Sequence, residues 1–169
     1  DHLYYPNEAR LECWTALSAL AEASRKVRVG SMMSCNLYRY PSLLAKMATT
    51  VDIISKGRFD LGIGAGWKED EAVVYGIPFP DVKERMKRLE EAVKIVKLLW
   101  TEDKASFKGR YYQIVDAVCE PKPVQKPHPP IWIGGVGERA TPRLAAMMAD
   151  GCNFLNLTLE ECMQRVKVI

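Results

Sequence analysis

The sequence predicts an α/β fold built on a parallel sheet, and three observations carry that expectation. Segments of helical periodicity alternate with short segments that lack it. The short segments are continuous apolar runs, the pattern of strands buried on both faces. Glycines recur where two of those strands end. An open doubly wound sheet and a (β/α)8 barrel both satisfy these observations. Only four such strands alternate with helices, whereas a whole barrel takes roughly 250 residues, so a barrel would have parts outside this chain at both ends.

The first helix is expected from Glu8 to about Ser24, with Asn7 as its cap and Leu11, Trp14, Leu17 and Ala21 on one face. Val27, Val29 and the apolar run to Met33 read as a buried strand. Pro41 suits a first helical position and opens a second helix, which Gly57 stops and whose inner stripe is Leu44, Met47, Ala48 and Val51. Phe59 to Ala65 is the next strand. Between Lys83 and Trp100, Met86, Leu89, Val93, Val96 and Trp100 form a helical stripe, with Glu84 and Arg88, and Glu90 and Lys94, paired four apart. Phe107 to Val115 centres on Lys108 and Gly109 and reads as a hairpin. The proline-rich stretch from Pro121 to Pro130 leads to a strand at Ile131 to Ile133, ended by Gly134 and Gly135. A helix entered near Thr141 and Pro142 runs to Ala149, and a strand follows at Cys152 to Leu155. A capping box from Thr158 to Glu161 opens the last helix.

Composition narrows the function. With 48% apolar and 27% charged residues the chain is ordinary soluble globular material, which excludes disorder and small disulfide scaffolds. A formal net charge of +3 is too mild for a nucleic-acid binder or a polybasic membrane anchor, so the expected partner is a small-molecule substrate. Cysteines 13, 35, 119, 152 and 162 form no CxxC pair and are odd in number, which favours reduced thiols in the cytoplasm. No apolar run approaches the roughly 18 residues of a membrane span. Whether barrel helices pair into a homo-oligomer stays open.

Leu61 to Gly66 reads LGIGAG and invites a dinucleotide-binding reading, but the third glycine of GxGxxG falls on Trp67 in one register and Asp70 in the other. No phosphate loop and no nucleophile elbow occur, and His2 and His128 have no partner at metal-ligand spacing, so no metal is expected. What remains is glycine at strand ends: Gly64 and Gly66 after one strand, then Gly134, Gly135 and Gly137 after another. Bare backbone there can approach an anion closely, and the helix near Thr141 adds its positive end. The plainer reading of each is a tight turn into a helix. His2 suits an acid or base at the ligand face, against the alternative of an ordinary surface histidine near a terminus. Trp100 completes a core stripe, whereas Trp67 is placed to wall a flat ring system. His128, between prolines, reads as a loop residue.

Several blocks together resemble the bacterial luciferase-like monooxygenase superfamily, and within it the branch of oxidoreductases that use the deazaflavin coenzyme F420. These are Asp1-His2, VRVGSMMSCNLYRYPSLLAK, TTVDIISKGRFDLGIGAGWKEDE, GIPFP, ERMKRLEEAVKIVKLLW, FKGRYY, KPVQKPHPPIWIGG and ADGCN, in family order up to the region of Asn156. The resemblance implies a (β/α)8 barrel of which residues 1–169 form one domain cut at both ends, holding strands three to six. It implies that His2 lies beside the cofactor ring and acts in proton transfer or substrate polarisation. Met33, Ser34 and Cys35 correspond to a bulge behind the ring, which in some members contains a non-prolyl cis peptide. Gly64, Ala65 and Gly66, with Gly134 and Gly135, match segments lining the cofactor phosphate and side chain. Sugar-phosphate dehydrogenases of that branch place an acidic residue where this chain has Trp67, although Glu69 and Glu71 are close. The implied activity is hydride transfer to or from F420 on a small organic substrate. An FMN-dependent monooxygenase is the alternative, and an inactive relative serving as a binding or structural subunit is a further one.

Overall fold

The computed structural model describes residues 1–167. Its main sheet is built from β1 (Val29–Gly30), β2 (Ser34–Cys35), β3 (Phe59–Gly64), β6 (Ile131–Gly134) and β7 (Gly151–Asn153), all parallel. Between β3 and β6 a separate antiparallel hairpin is inserted, β4 (Ala105–Lys108) with β5 (Gln113–Ala117). β1 and β2 are the two halves of one interrupted strand, since both pair with β3, which then pairs with β6, and β6 with β7. Spatial order therefore follows chain order with no reversal. A doubly wound sheet reverses at a switch point, whereas an arc of a (β/α)8 barrel does not. The arc is open among the described residues, with the interrupted strand and β7 at its edges.

Helices α1 (Cys13–Ala23), α2 (Pro41–Ile54), α4 (Val82–Thr101) and α5 (Ala140–Met148) supply the apolar layer packed against this arc. Leu61, Ile63, Ile131 and Ile133 are buried from the sheet, and Trp14, Leu44, Leu89, Val96 and Trp100 from the helices. The Trp100 ring nitrogen donates to the Ala45 carbonyl at 3.1 Å, which satisfies the one polar atom of a large buried ring. Alternate positions of β3 and β6 point away from the helices, and there large residues are matched to bare ones. Trp132 stands in register between Gly62 and Gly151, and a Cβ on Gly151 would lie 2.4 Å from its ring. Met33 likewise spreads over Gly62 and Gly134, where added Cβ atoms would meet its side chain at 2.6 and 2.5 Å.

Several boundaries differ from expectation. α1 begins at Cys13, five residues later than Glu8, because the Glu12 carboxylate caps it by accepting from the Trp14 amide at 3.1 Å and the Thr15 amide at 2.7 Å. Asn7, the expected cap, sits in a turn at φ 62°, and Leu11 is exposed instead of lining the helix stripe. The strand expected from Val27 to Met33 is broken: it pairs only at Val29 and Gly30 and resumes at Ser34 after a bend whose Met32–Met33 peptide is cis. α3 (Glu69–Val74) was not foreseen as a helix, because its acidic opening, EDE, carries no apolar stripe. α4 matches its prediction within a residue, and both of its expected ion pairs are present at 2.7 and 2.6 Å. β7 starts at Gly151 and ends at Asn153, two residues before Leu155. The last helix, α6 (Leu159–Val166), opens on the expected capping box.

Candidate active site

Register places the candidate residues in one row across the carboxyl ends of the strands. Cys35 is paired with Gly64, Gly64 with Gly134, and Gly134 with Asn153. Gly66, at φ 83°, turns the chain out of β3, and a Cβ there would lie 2.8 Å from the Cys35 sulfur, so only glycine combines that dihedral with that contact. Ala65 packs against the core, and Trp67 follows it into solvent, 64% exposed. Across the row, the Gly135 amide donates to the Asn153 carbonyl at 3.3 Å, and the space beside Gly135 and Gly137 is taken by the Thr141 hydroxyl. These two glycines thus accommodate the first turn of α5.

The bend before β2 is held by a buried polar chain. The Trp14 ring nitrogen donates to Ser34 Oγ at 3.0 Å, Ser34 to Ser31 at 3.0 Å, and Ser31 to the Gly62 carbonyl at 2.8 Å. The backbone amide of Cys35 donates to Asp1 at 3.2 Å. The Asp1 side chain is itself buried and gripped by Arg39 through two nitrogens, at 2.6 and 3.2 Å. Arg39 also reaches Glu12, so a single guanidinium ties the start of the chain to the cap of α1.

This anchoring sets His2 beside the row. Its Nδ1 lies 2.8 Å from Glu71 Oε2 on α3, while Glu71 Oε1 accepts the backbone amides of Leu3 and of Tyr4, the latter at 2.8 Å. The imidazole meets Tyr5 and Trp67 edge-on, with centroids 5.1 and 5.6 Å away. Nε2 has no hydrogen-bond partner among the described residues, and the ring remains 27% exposed. The Glu71 side chain is fully buried. Burial alone would raise its pKa, but hydrogen bonds from His2, the Tyr4 amide, the Tyr38 hydroxyl and the Leu3 amide outweigh that and hold it below the ordinary carboxylate value. Burial pushes the Cys35 thiol and the Tyr38 hydroxyl up, so both stay protonated near neutrality. A shallow depression of about 410 Å³ opens beside Asp1 and His2, bounded by Glu8, Arg10 and Leu11.

The family model for luciferase-like monooxygenases matches residues 1–167. The chain belongs to the luciferase-like monooxygenase family. The F420-dependent glucose-6-phosphate dehydrogenase of Amycolatopsis mediterranei is 35% identical over 136 residues, covering 80% of this chain and 40% of that protein. The FMNH2-dependent dimethylsulfone monooxygenase of Pseudomonas putida is 34% identical over 146 residues, covering 86% of this chain and 40% of that one. Among solved structures, an F420-dependent secondary alcohol dehydrogenase in complex with an F420-acetone adduct superposes with a TM-score of 0.83 at 28% identity, over 99% of this chain and 53% of that chain. The chain thus spans about 40% of the length of these curated relatives. These three relatives are oxidoreductases named for dependence on F420 or on FMNH2.

Within the luciferase-like chain, sequence reasoning reached His2, Trp67 and the row from Cys35 to Gly134, but not what holds His2. Glu71 stood out only as an acid near Trp67, in a run of three acidic residues that looks like a solvated face. In α3, Glu71 and Ala72 are buried while Glu69 and Asp70 are exposed. Arg39 was visible in its motif block, but its pairing with Asp1 across 38 positions left no local trace.

Proposed function

We propose that this chain carries the ligand face of an oxidoreductase that moves a hydride to or from coenzyme F420 on a small organic substrate, with His2 handling the accompanying proton. The observation that carries this reading is the seating of His2: one ring nitrogen is engaged by a buried carboxylate, and the other is open at the carboxyl end of the sheet. In α/β barrels that end is the catalytic face. The same reading takes residues 1–169 as the central part of one larger barrel domain in a cytoplasmic enzyme.

The residues present fit a flat ring. Met32 and Trp67 offer apolar surface at 74% and 64% exposure. Met33, Ser34 and Cys35 would back the ring, Trp67 would wall it, and Gly64, Ala65 and Gly66 would line its side chain and phosphate, whereas the sides of Gly134 and Gly135 expected to do so are taken by Met33 and Thr141. When bound, the deazaflavin supplies the two-electron chemistry. The chain's part is to orient the ring on the bend braced by Ser31 and Ser34, to exclude water with Trp67 and Tyr5, and to accept or return a proton at His2 Nε2.

A second reading, an FMN-dependent monooxygenase, is favoured by one observation: Trp67 occupies the place where the resemblance puts an acidic residue in F420-dependent sugar-phosphate dehydrogenases. Titrating the full-length protein with each cofactor and following absorbance separates the two. Saturable binding of F420, with FMN binding far more weakly, is expected. Saturable FMN binding without F420 binding overturns the first reading in favour of the second, and binding of neither points to a structural or binding subunit.

A further inference from the structure

We propose that Glu71 is a positioning residue that fixes the tautomer of His2, keeping the proton on Nδ1 and turning the Nε2 lone pair toward the ligand face. This rests on the reading that His2 handles the substrate proton. A carboxylate can only accept hydrogen bonds, so an ionised Glu71 at 2.8 Å from Nδ1 requires that nitrogen to be the donor. The neutral ring then has one acceptor left, Nε2. Glu71 is pinned in this role from its other oxygen, which accepts the amides of Leu3 and Tyr4. The carboxylate therefore does two jobs with two oxygens: Oε1 ties down the backbone that follows His2, and Oε2 selects the tautomer.

The groups facing this pair come from every neighbouring element. Tyr5 and Trp67 flank the ring with their edges. Lys68 lies over Tyr5 and is paired with Asp70, and Arg10 lies over the same ring paired with Glu8. Asp1 is neutralised by Arg39. Cys35 and Tyr38 stay protonated. Among these side chains, Lys68, Arg10 and Asp1 are each matched to an opposite charge, and Glu71 is the one bonded to the ring.

The pinning makes a sharp test possible. In a Glu71→Gln variant the two backbone amides demand the carbonyl oxygen at the Oε1 position, which turns the side-chain NH2 toward His2. Nδ1 must then accept, and the proton moves to Nε2. The tautomer thus inverts with almost no change in shape. Nitrogen-15 NMR of the ring in the full-length, cofactor-free protein reads this directly, with the His2 signals identified as those lost in a His2→Ala variant. In the unsubstituted protein at high pH the Nδ1–H form of His2 is expected to exceed the other by at least tenfold, and in Glu71→Gln the ratio is expected to reverse. Glu71→Asp, which keeps an acceptor, is expected to retain the Nδ1–H form and so exclude misfolding as the cause. An Nε2–H ring in the unsubstituted protein, or an unchanged tautomer in Glu71→Gln, overturns the proposal. If the tautomer inverts but kcat with the bound cofactor is retained, the positioning role stands and the proton-handling role of His2 falls.

Discussion

The two surfaces of β3 and β6 solve burial in opposite ways. Toward the helices, Leu61, Ile63, Ile131 and Ile133 disappear into an apolar layer in which few polar side-chain atoms need partners. At the carboxyl ends, the buried side chains include Ser31, Ser34, Asn36 and Glu71, together with the carboxylate of Asp1. Nearly all of these are tied to long-range partners. The first surface tolerates any well-shaped apolar substitute, because its stability grows with area and packing. The second loses heavily when a single partner is removed, because what remains is a buried charge or donor with no acceptor. Precision at the ligand end is therefore set by polar bonds reaching across as many as 76 positions of sequence.

The largest effect should come from breaking the most buried pair. Arg39→Met leaves the Asp1 carboxylate uncompensated and frees Glu12, and is expected to cost about 3–5 kcal/mol in denaturant unfolding. A loss near 1 kcal/mol would show that the ligand end is as forgiving as the core. Its counterpart on the helix side, Ile133→Val, removes one methylene from a fully buried site and is expected to cost about 0.5–1.5 kcal/mol. Equal costs for the two substitutions would erase the contrast.

Glu12 gives an effect of the same size as Ile133→Val and adds a pH axis. Burial raises its pKa, but the Thr15 hydroxyl, the Thr15 and Trp14 amides and Arg39 together pull it from 4.5 down to about 2. A depressed carboxylate stabilises the fold above its unfolded pKa and stops doing so as pH falls through its folded one. Glu12→Ala is therefore expected to cost about 1 kcal/mol near neutrality, discounted for the exposure of this side chain. The gap between the two proteins should close between pH 4.5 and about 2. A gap that persists unchanged to pH 2 would mean that the cap is not acting through its charge.

The sequence was legible where the physics is local. The stripe and paired charges of α4, the proline that opens α2 and the capping box of α6 each lie within a few residues of one another, and each was readable in advance. The start of α1 was not, because Glu12 acts as a cap in concert with Arg39, which is 27 positions away. The broken strand before β2 was legible only through resemblance, since its apolar run from Val27 to Met33 carries no mark of the bend. At the site, the glycines and His2 could be named from position in the pattern. Glu71 could not, because nothing in an acidic triplet distinguishes a buried member until the fold closes over it.

If His2 is the proton-handling group of the ligand face, its replacement should stop the chemistry while leaving the ring seated. In the full-length enzyme with its cofactor bound, His2→Ala is expected to lower kcat by about 100- to 10,000-fold, the range for a lost general acid or base. Cofactor affinity should stay near that of the unsubstituted protein, while stability falls because the buried Glu71 carboxylate loses the His2 donor. Turnover that is unchanged at saturating substrate would contradict the claim.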